Sequence, residues 1–104
     1  MRRPCVYILA SGFHGTLYIG VTSDLPAREW EHWARVKPDS FTSRYNVNRL
    51  VLFEVFETMN EAIAREKAMK KWRRAWKIEL IEESNPQWHP VCPETGVFLR
   101  DYQE

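Results

Sequence analysis

Two short apolar runs open the chain: CVYILA at 5–10 and TLYIGV at 16–21, separated by SGFHG. Runs of this length and composition around a glycine-containing turn predict a β-hairpin. Their apolar residues are consecutive, so both faces of these strands are expected to be covered. Each run carries a tyrosine. Side chains alternate faces along a strand, so Tyr7 and Tyr18 share a face if paired positions sum to an odd number. A short loop favours a sum of about 25, which would set the two phenols opposite each other.

A helical pattern follows. TSDLPAREWEHWARV predicts a helix capped by Ser23 or Asp24, with Pro26 tolerated in the first turn. Leu25, Trp30, Trp33 and Ala34 supply its apolar surface, while Arg28 and His32, four apart, are neighbours on one face. KPDSFTSRYNVN has turn chemistry and reads as a loop, and RLVLFEVFE reads as a third strand. Thr58 then begins a capping box, Thr-Met-Asn-Glu, that opens a helix running to about Trp72. A third helix, roughly Arg74 to Glu83, presents Trp76, Leu80 and Ile81. It ends at SNP, where Asn85 can adopt a helix-terminating conformation and Pro86 blocks continuation. Residues 1–88 are read as one domain, and 89–104, which lack a sustained pattern, as a tail that wraps the surface or frays.

Composition narrows the class. With 104 residues, 44% of them hydrophobic, and five tryptophans, one packed domain is expected. No apolar run approaches the roughly 20 residues that span a membrane. The apolar stretch in MRRPCVYILA is too short for a leader and leads into a turn and second strand, so it reads as structure. Cys5 and Cys92 match no metal spacing and read as reduced thiols of a cytoplasmic protein. Net charge is only +1, but it hides an asymmetry. Arg65 to Lys77 holds seven basic residues and one acid, Glu66, whereas from Glu79 onward there are six acids and one base. Such a basic stretch is either a solvated helix face or a surface that meets phosphate.

Glu66 is the most informative single residue. At 100° per residue, Met59, Ala62, Ile63 and Met69 form one apolar stripe, and Glu66 falls inside it, roughly 20° from Met59. A carboxylate there is costly unless paired or bound to a cation. The ordinary reading is an i,i+4 pair with Lys70; the functional one is a hard-cation ligand at a cleft. Tyr7, Tyr18, Arg28 and His32 each have a packing or pairing explanation too. Together with Glu66 they form an inventory suited to phosphodiester hydrolysis: a base, a cation ligand and positive charge for the phosphate.

The sequence resembles the GIY-YIG endonuclease superfamily, in its small single-domain bacterial branch. The resemblance rests on VYIL at 6–9, LYIGVTSDL at 17–25, REWEH at 28–32, FTSRYNV at 41–47, AIAREKAMKKWRRAWKIELI at 62–81 and NPQW at 85–88. It implies an α+β fold, a small three-stranded antiparallel sheet flanked by about three helices. Tyr7 and Tyr18 match the two motif tyrosines, Gly20 the glycine of YIG, Arg28 the catalytic arginine and His32 the tyrosine-or-histidine position one turn later. Glu66 matches the metal-binding glutamate and Asn85 the polar residue after the last helix. The first motif reads CVY, which keeps the tyrosine.

The implied activity is metal-dependent DNA cleavage in repair, recombination or processing, with one Mg2+ or Mn2+ ion on Glu66. Nucleic-acid contacts are expected from Thr22, Arg44, Tyr45, Lys70, Lys71 and Asn85. The alternative is a nucleic-acid-binding module with little or no turnover. Larger family members carry a separate DNA-binding domain, for which this sequence has no room. Targeting is therefore expected from a homodimer, an additional protein or a special DNA structure.

Overall fold

The computed structural model describes residues 3–28 and 45–92. Three strands form one antiparallel sheet: β1 (Cys5–Ala10), β2 (Leu17–Thr22) and β3 (Arg49–Val55), in the order β2-β1-β3. Every residue of β1 is buried, so this strand, apolar on both faces, takes the centre. A helical turn at 25–28 follows β2. Asp24 caps it, accepting from the Ala27 amide through its carboxylate (3.4 Å) and from the Arg28 amide through its carbonyl (3.1 Å). Helix α1 (Met59–Lys70) starts at the expected capping box, with Thr58 and Glu61 exchanging 3.2 Å side-chain bonds to each other's backbone amides. Helix α2 (Arg74–Ser84) follows after a tight turn. The architecture is the expected α+β one.

The sheet separates two apolar layers. Val6, Ile8, Ala10, Ile19 and Val51 pack with Ala62 and Met69 of α1, Ile81 of α2, and Trp88. The other face carries Cys5, Tyr7, Leu9 and Leu50, with Leu25, Val47 and Val91 over them and Tyr18 and Phe53 at their margin. In the β1–β3 pairing, Ile8 opposes Leu52 but Leu9 opposes Leu50. This bulge leaves Val51 unpaired and lets both Val51 and Leu52 serve the α1 side. Across the same layer Arg65 of α1 holds Glu54 of β3 in two bonds, of 2.8 and 3.1 Å.

Two expectations change. Trp76 is exposed rather than part of the core-facing surface of α2; Arg73 lies over its ring at 4.8 Å, and Trp72 meets it edge-on. Ile81 is buried as expected. Asn85 ends α2 without entering the left-handed region (φ −145°). Its side chain does the terminating: Nδ2 donates to the carbonyls of Val51 (3.0 Å) and His89 (2.8 Å), and Oδ1 accepts from the His89 amide (2.9 Å). Residues beyond 88 stay on the body at least to Cys92, since the Val91 amide donates to the Leu50 carbonyl at 2.8 Å.

The hairpin loop is tied to α2 at the far end of the sheet. His14 Nε2 and Trp88 Nε1 both reach Glu82 Oε2, at 2.6 and 2.8 Å, and Arg74 donates to the carbonyls of His14 and Gly15. The two hydrogen bonds hold the Glu82 carboxyl below its ordinary range. Cys5 and Cys92 are both free thiols, and burial pushes the Cys5 thiol up to about 11, which makes it inert near neutrality. No helix among the described residues is long and apolar enough to cross a membrane.

Asn85→Ala removes three hydrogen bonds from a side chain only 1% exposed. Buried backbone groups then lose their partners, and unfolding stability is expected to fall by about 3 kcal/mol. Denaturant titration measures this; a loss under about 1 kcal/mol would contradict the clamp.

Candidate active site

The register of the hairpin builds the site. Tyr7 pairs with Gly20 and Leu9 with Tyr18, so the two tyrosines share a face but sit diagonally rather than opposite. Their ring centroids are 6.2 Å apart with planes tilted by 42°. Gly20 makes the diagonal possible. A Cβ at that position would lie 2.9 Å from Cε2 of Tyr7 and closer still to its Cζ and phenol oxygen. The Tyr7 ring therefore crosses the backbone of β2 in the space that only glycine leaves, which directs its hydroxyl toward Tyr18.

Tyr7 is 2% exposed. Desolvation raises its pKa far above the ordinary phenol value; the neighbouring Tyr18 raises it further and the Arg28 charge lowers it. A hydrogen bond to Tyr18 also favours the protonated form of Tyr7, which makes Tyr7 the donor and the Tyr18 oxygen the acceptor. Tyr7 lies behind Tyr18 because its ring folds over Gly20 into the layer beneath Leu25. Arg28 stands beside this pair because the capped turn at 25–28 returns over the same face of the sheet.

Glu66 comes from the other side. Helix α1 packs on the opposite face of the sheet, and its last turns lie along β2, the sheet edge. The Glu66 side chain is only 12% exposed, and its carboxylate pairs with Lys70 at 2.6 Å. Lys70 is 53% exposed and lines a cleft of about 310 Å³ together with Leu17, Tyr18, Ile19 and Lys77. The cleft runs over the β2 edge, so Tyr18 from one face and the α1–α2 lysines from the other meet there. Tyr7, Tyr18 and Arg28 thus form one electrostatic group, while Glu66 pairs with Lys70, which lines the same cleft as Tyr18. The ordinary reading of Glu66 is correct as far as the ion pair goes, yet the carboxylate is as buried as the helical stripe requires.

The donor set suits a hard cation. Among the described residues no three His, Cys, Asp or Glu side chains cluster. Mg2+ commonly takes one or two carboxylates and fills its remaining positions with water and substrate phosphate, so a single carboxylate such as Glu66 fits in kind.

The other expected contacts divide. Lys71 and Tyr45 are exposed. Thr22 is buried, its hydroxyl accepting from the Asp24 amide at 3.1 Å, and Asn85 is buried in the clamp described above. A direct phosphate contact from either is corrected on that ground: the polar atoms are turned into the fold. His32 and Arg44 lie outside the described residues. Lys77 also lines the cleft, although it is not among the expected contacts. Its signal was present in the basic run, one helix beyond Lys70.

Gly20→Ala is expected to destabilise the protein by about 1–3 kcal/mol, because the Tyr7 ring must leave its place over β2. A double-mutant cycle with Tyr7→Ala tests this: the glycine substitution should cost much less once the ring is gone. Additive losses would contradict the close approach.

Residues 3–79 match the GIY-YIG catalytic domain family. Three relatives from Staphylococcus aureus are each 36% identical over 83 residues, spanning 80% of this chain and 99% of the relative. They are a UPF0213 protein of strain Mu3 / ATCC 700698, UPF0213 protein SAV0488 of strain Mu50 and UPF0213 protein SA0446 of strain N315. No solved structure matches the chain.

Proposed function

The chain belongs to the GIY-YIG catalytic domain family, and from that premise we propose that it is a divalent-metal-dependent endonuclease hydrolysing DNA phosphodiester bonds. The observation that carries the proposal is the hydrogen-bonded Tyr7–Tyr18 pair beside Arg28, opening on a lysine-lined cleft.

In this reading Tyr18 is the general base. It lines the cleft, whereas Tyr7 is enclosed and held protonated. The Tyr7 hydroxyl donates to the Tyr18 oxygen and fixes its position beside Arg28. The Tyr18 phenolate takes a proton from a water, whose oxygen attacks phosphorus as the bond to the 3′ oxygen breaks. Solvent returns a proton to that oxygen, leaving 5′-phosphate and 3′-hydroxyl ends. Arg28 stabilises the charge that gathers on the phosphoryl oxygens, and His32 is assigned to orient the water. Glu66 would hold one Mg2+ or Mn2+ ion, which would offset negative charge developing in the reaction. Lys70, Lys71, Arg44 and Tyr45 contact the DNA backbone alongside. Targeting falls to a homodimer or an additional protein, in a cytoplasmic role in DNA repair, recombination or processing.

One observation favours the alternative of a binding module with little turnover: the 2.6 Å Glu66–Lys70 pair already neutralises the carboxylate. Incubation with supercoiled, branched and single-stranded DNA, with and without Mg2+ or Mn2+, separates the two. The endonuclease reading expects metal-dependent strand breaks; DNA binding without breaks in any metal would support the module.

A further inference from the structure

We infer that Lys77 is a phosphate-binding residue of the cleft, holding the DNA strand next to the phosphate that Tyr18 addresses. The inference rests on the endonuclease reading and adds a substrate contact to it.

The charges in the cleft are unequal. Lys70 and Lys77 both line it, with Tyr18 between the apolar Leu17 and Ile19 on β2. The charge of Lys70 is offset by Glu66 at 2.6 Å. Lys77 has no such partner: no carboxylate among the described residues pairs with it. Its helical neighbours three and four positions away are Arg73, Arg74, Leu80 and Ile81, so the helix surface adds like charge and no acid. It is nonetheless half-buried. Leu17 and Ile19 line the same cleft and suit its methylene stem, which leaves the ammonium group at the opening. A half-buried lysine without a counter-ion, sharing a cleft with a candidate base, is completed by an anion. The substrate supplies one, because a nucleic-acid strand crossing Tyr18 presents further phosphates on either side of the cleaved one.

Lys70 and Lys77 also reach the cleft from different elements, the end of α1 and the start of α2. A strand held by both is fixed at two points along its backbone, which orients the phosphodiester at Tyr18. Contacts of this type position the substrate and carry no sequence information.

The test is equilibrium binding of the full chain to a duplex oligonucleotide in EDTA, across a series of salt concentrations. The variants are Lys77→Met, which keeps the stem, Lys77→Gln and Lys77→Arg, with melting temperatures confirming that each is folded. The two neutral variants should bind more weakly than wild type, with the slope of log K against log salt shallower by about 0.9, the loss of one phosphate contact. Lys77→Arg should restore both. In cleavage assays the neutral variants should raise KM and lower kcat/KM, and Lys77→Arg should restore both. Wild-type affinity and slope in both neutral variants would overturn the assignment while leaving the endonuclease reading intact. A wild-type chain that binds no DNA at low salt would overturn both.

Discussion

Glu66→Gln is expected to lower the rate of DNA cleavage by about a hundredfold or more. The substitution keeps the shape of the side chain and removes its charge, so a hard cation loses its protein ligand. Loss of several kcal/mol of charge stabilisation at the phosphate corresponds to a factor of that size. Stability should change little. The Glu66–Lys70 pair includes a lysine 53% exposed, and pairs screened in that way contribute roughly 0–1 kcal/mol. DNA affinity in EDTA should hold or rise, because Lys70 is freed from its carboxylate. Steady-state nicking rates, read beside a melting curve, check the prediction; normal cleavage by a folded Glu66→Gln protein would reduce Glu66 to a partner of Lys70.

Tyr18→Phe is expected to cost about 10²–10⁴-fold in cleavage, the range for removing a positioned general base. It should also lower stability modestly, because the buried Tyr7 hydroxyl loses its acceptor. Tyr7→Phe gives the contrast. Without the Tyr7 donor Tyr18 loses a fixed partner but keeps its own hydroxyl, so cleavage should fall less than in Tyr18→Phe and part of the activity survives. Equal losses in the two variants would contradict the division of roles between an enclosed donor and a base at the cleft.

Much of this arrangement was legible in the residues, and the parts that were not have identifiable physical reasons. Strand alternation made a shared face for Tyr7 and Tyr18 depend on the parity of the register, and it left open how far the strands slide past each other. That offset is set by the loop at 11–16, which closes with the Ser11 amide on the Thr16 carbonyl and a reciprocal bond from the Thr16 amide to the Ser11 hydroxyl. The slide puts Tyr7 over Gly20 and turns two facing phenols into an enclosed donor and a half-buried acceptor. The helical stripe located Glu66 correctly, with Ala62 and Met69 buried beside it. It could not show that α1 approaches from the face opposite the tyrosines, because periodicity describes one helix and not the side of the sheet it covers. Trp76 misled for a related reason. An indole at an apolar spacing looks like core, yet stacking under Arg73 lets it remain outside. Asn85 was recognised by its place after α2, but its three bonds to Val51 and His89 depend on contacts that only the folded chain creates.

The central claim is hydrolysis of DNA at a cleft where Tyr18 activates water and Glu66 holds a cation. Relaxation of supercoiled plasmid, followed against Mg2+ concentration for the wild-type chain and Glu66→Gln side by side, tests it most directly. The account predicts nicked circles whose yield rises with Mg2+ for wild type, carries 5′-phosphate ends, disappears in EDTA, and is lost in Glu66→Gln at every concentration. Nicking of equal rate in both proteins, or none by the wild type in Mg2+ or Mn2+ under conditions where it binds the plasmid, would contradict it.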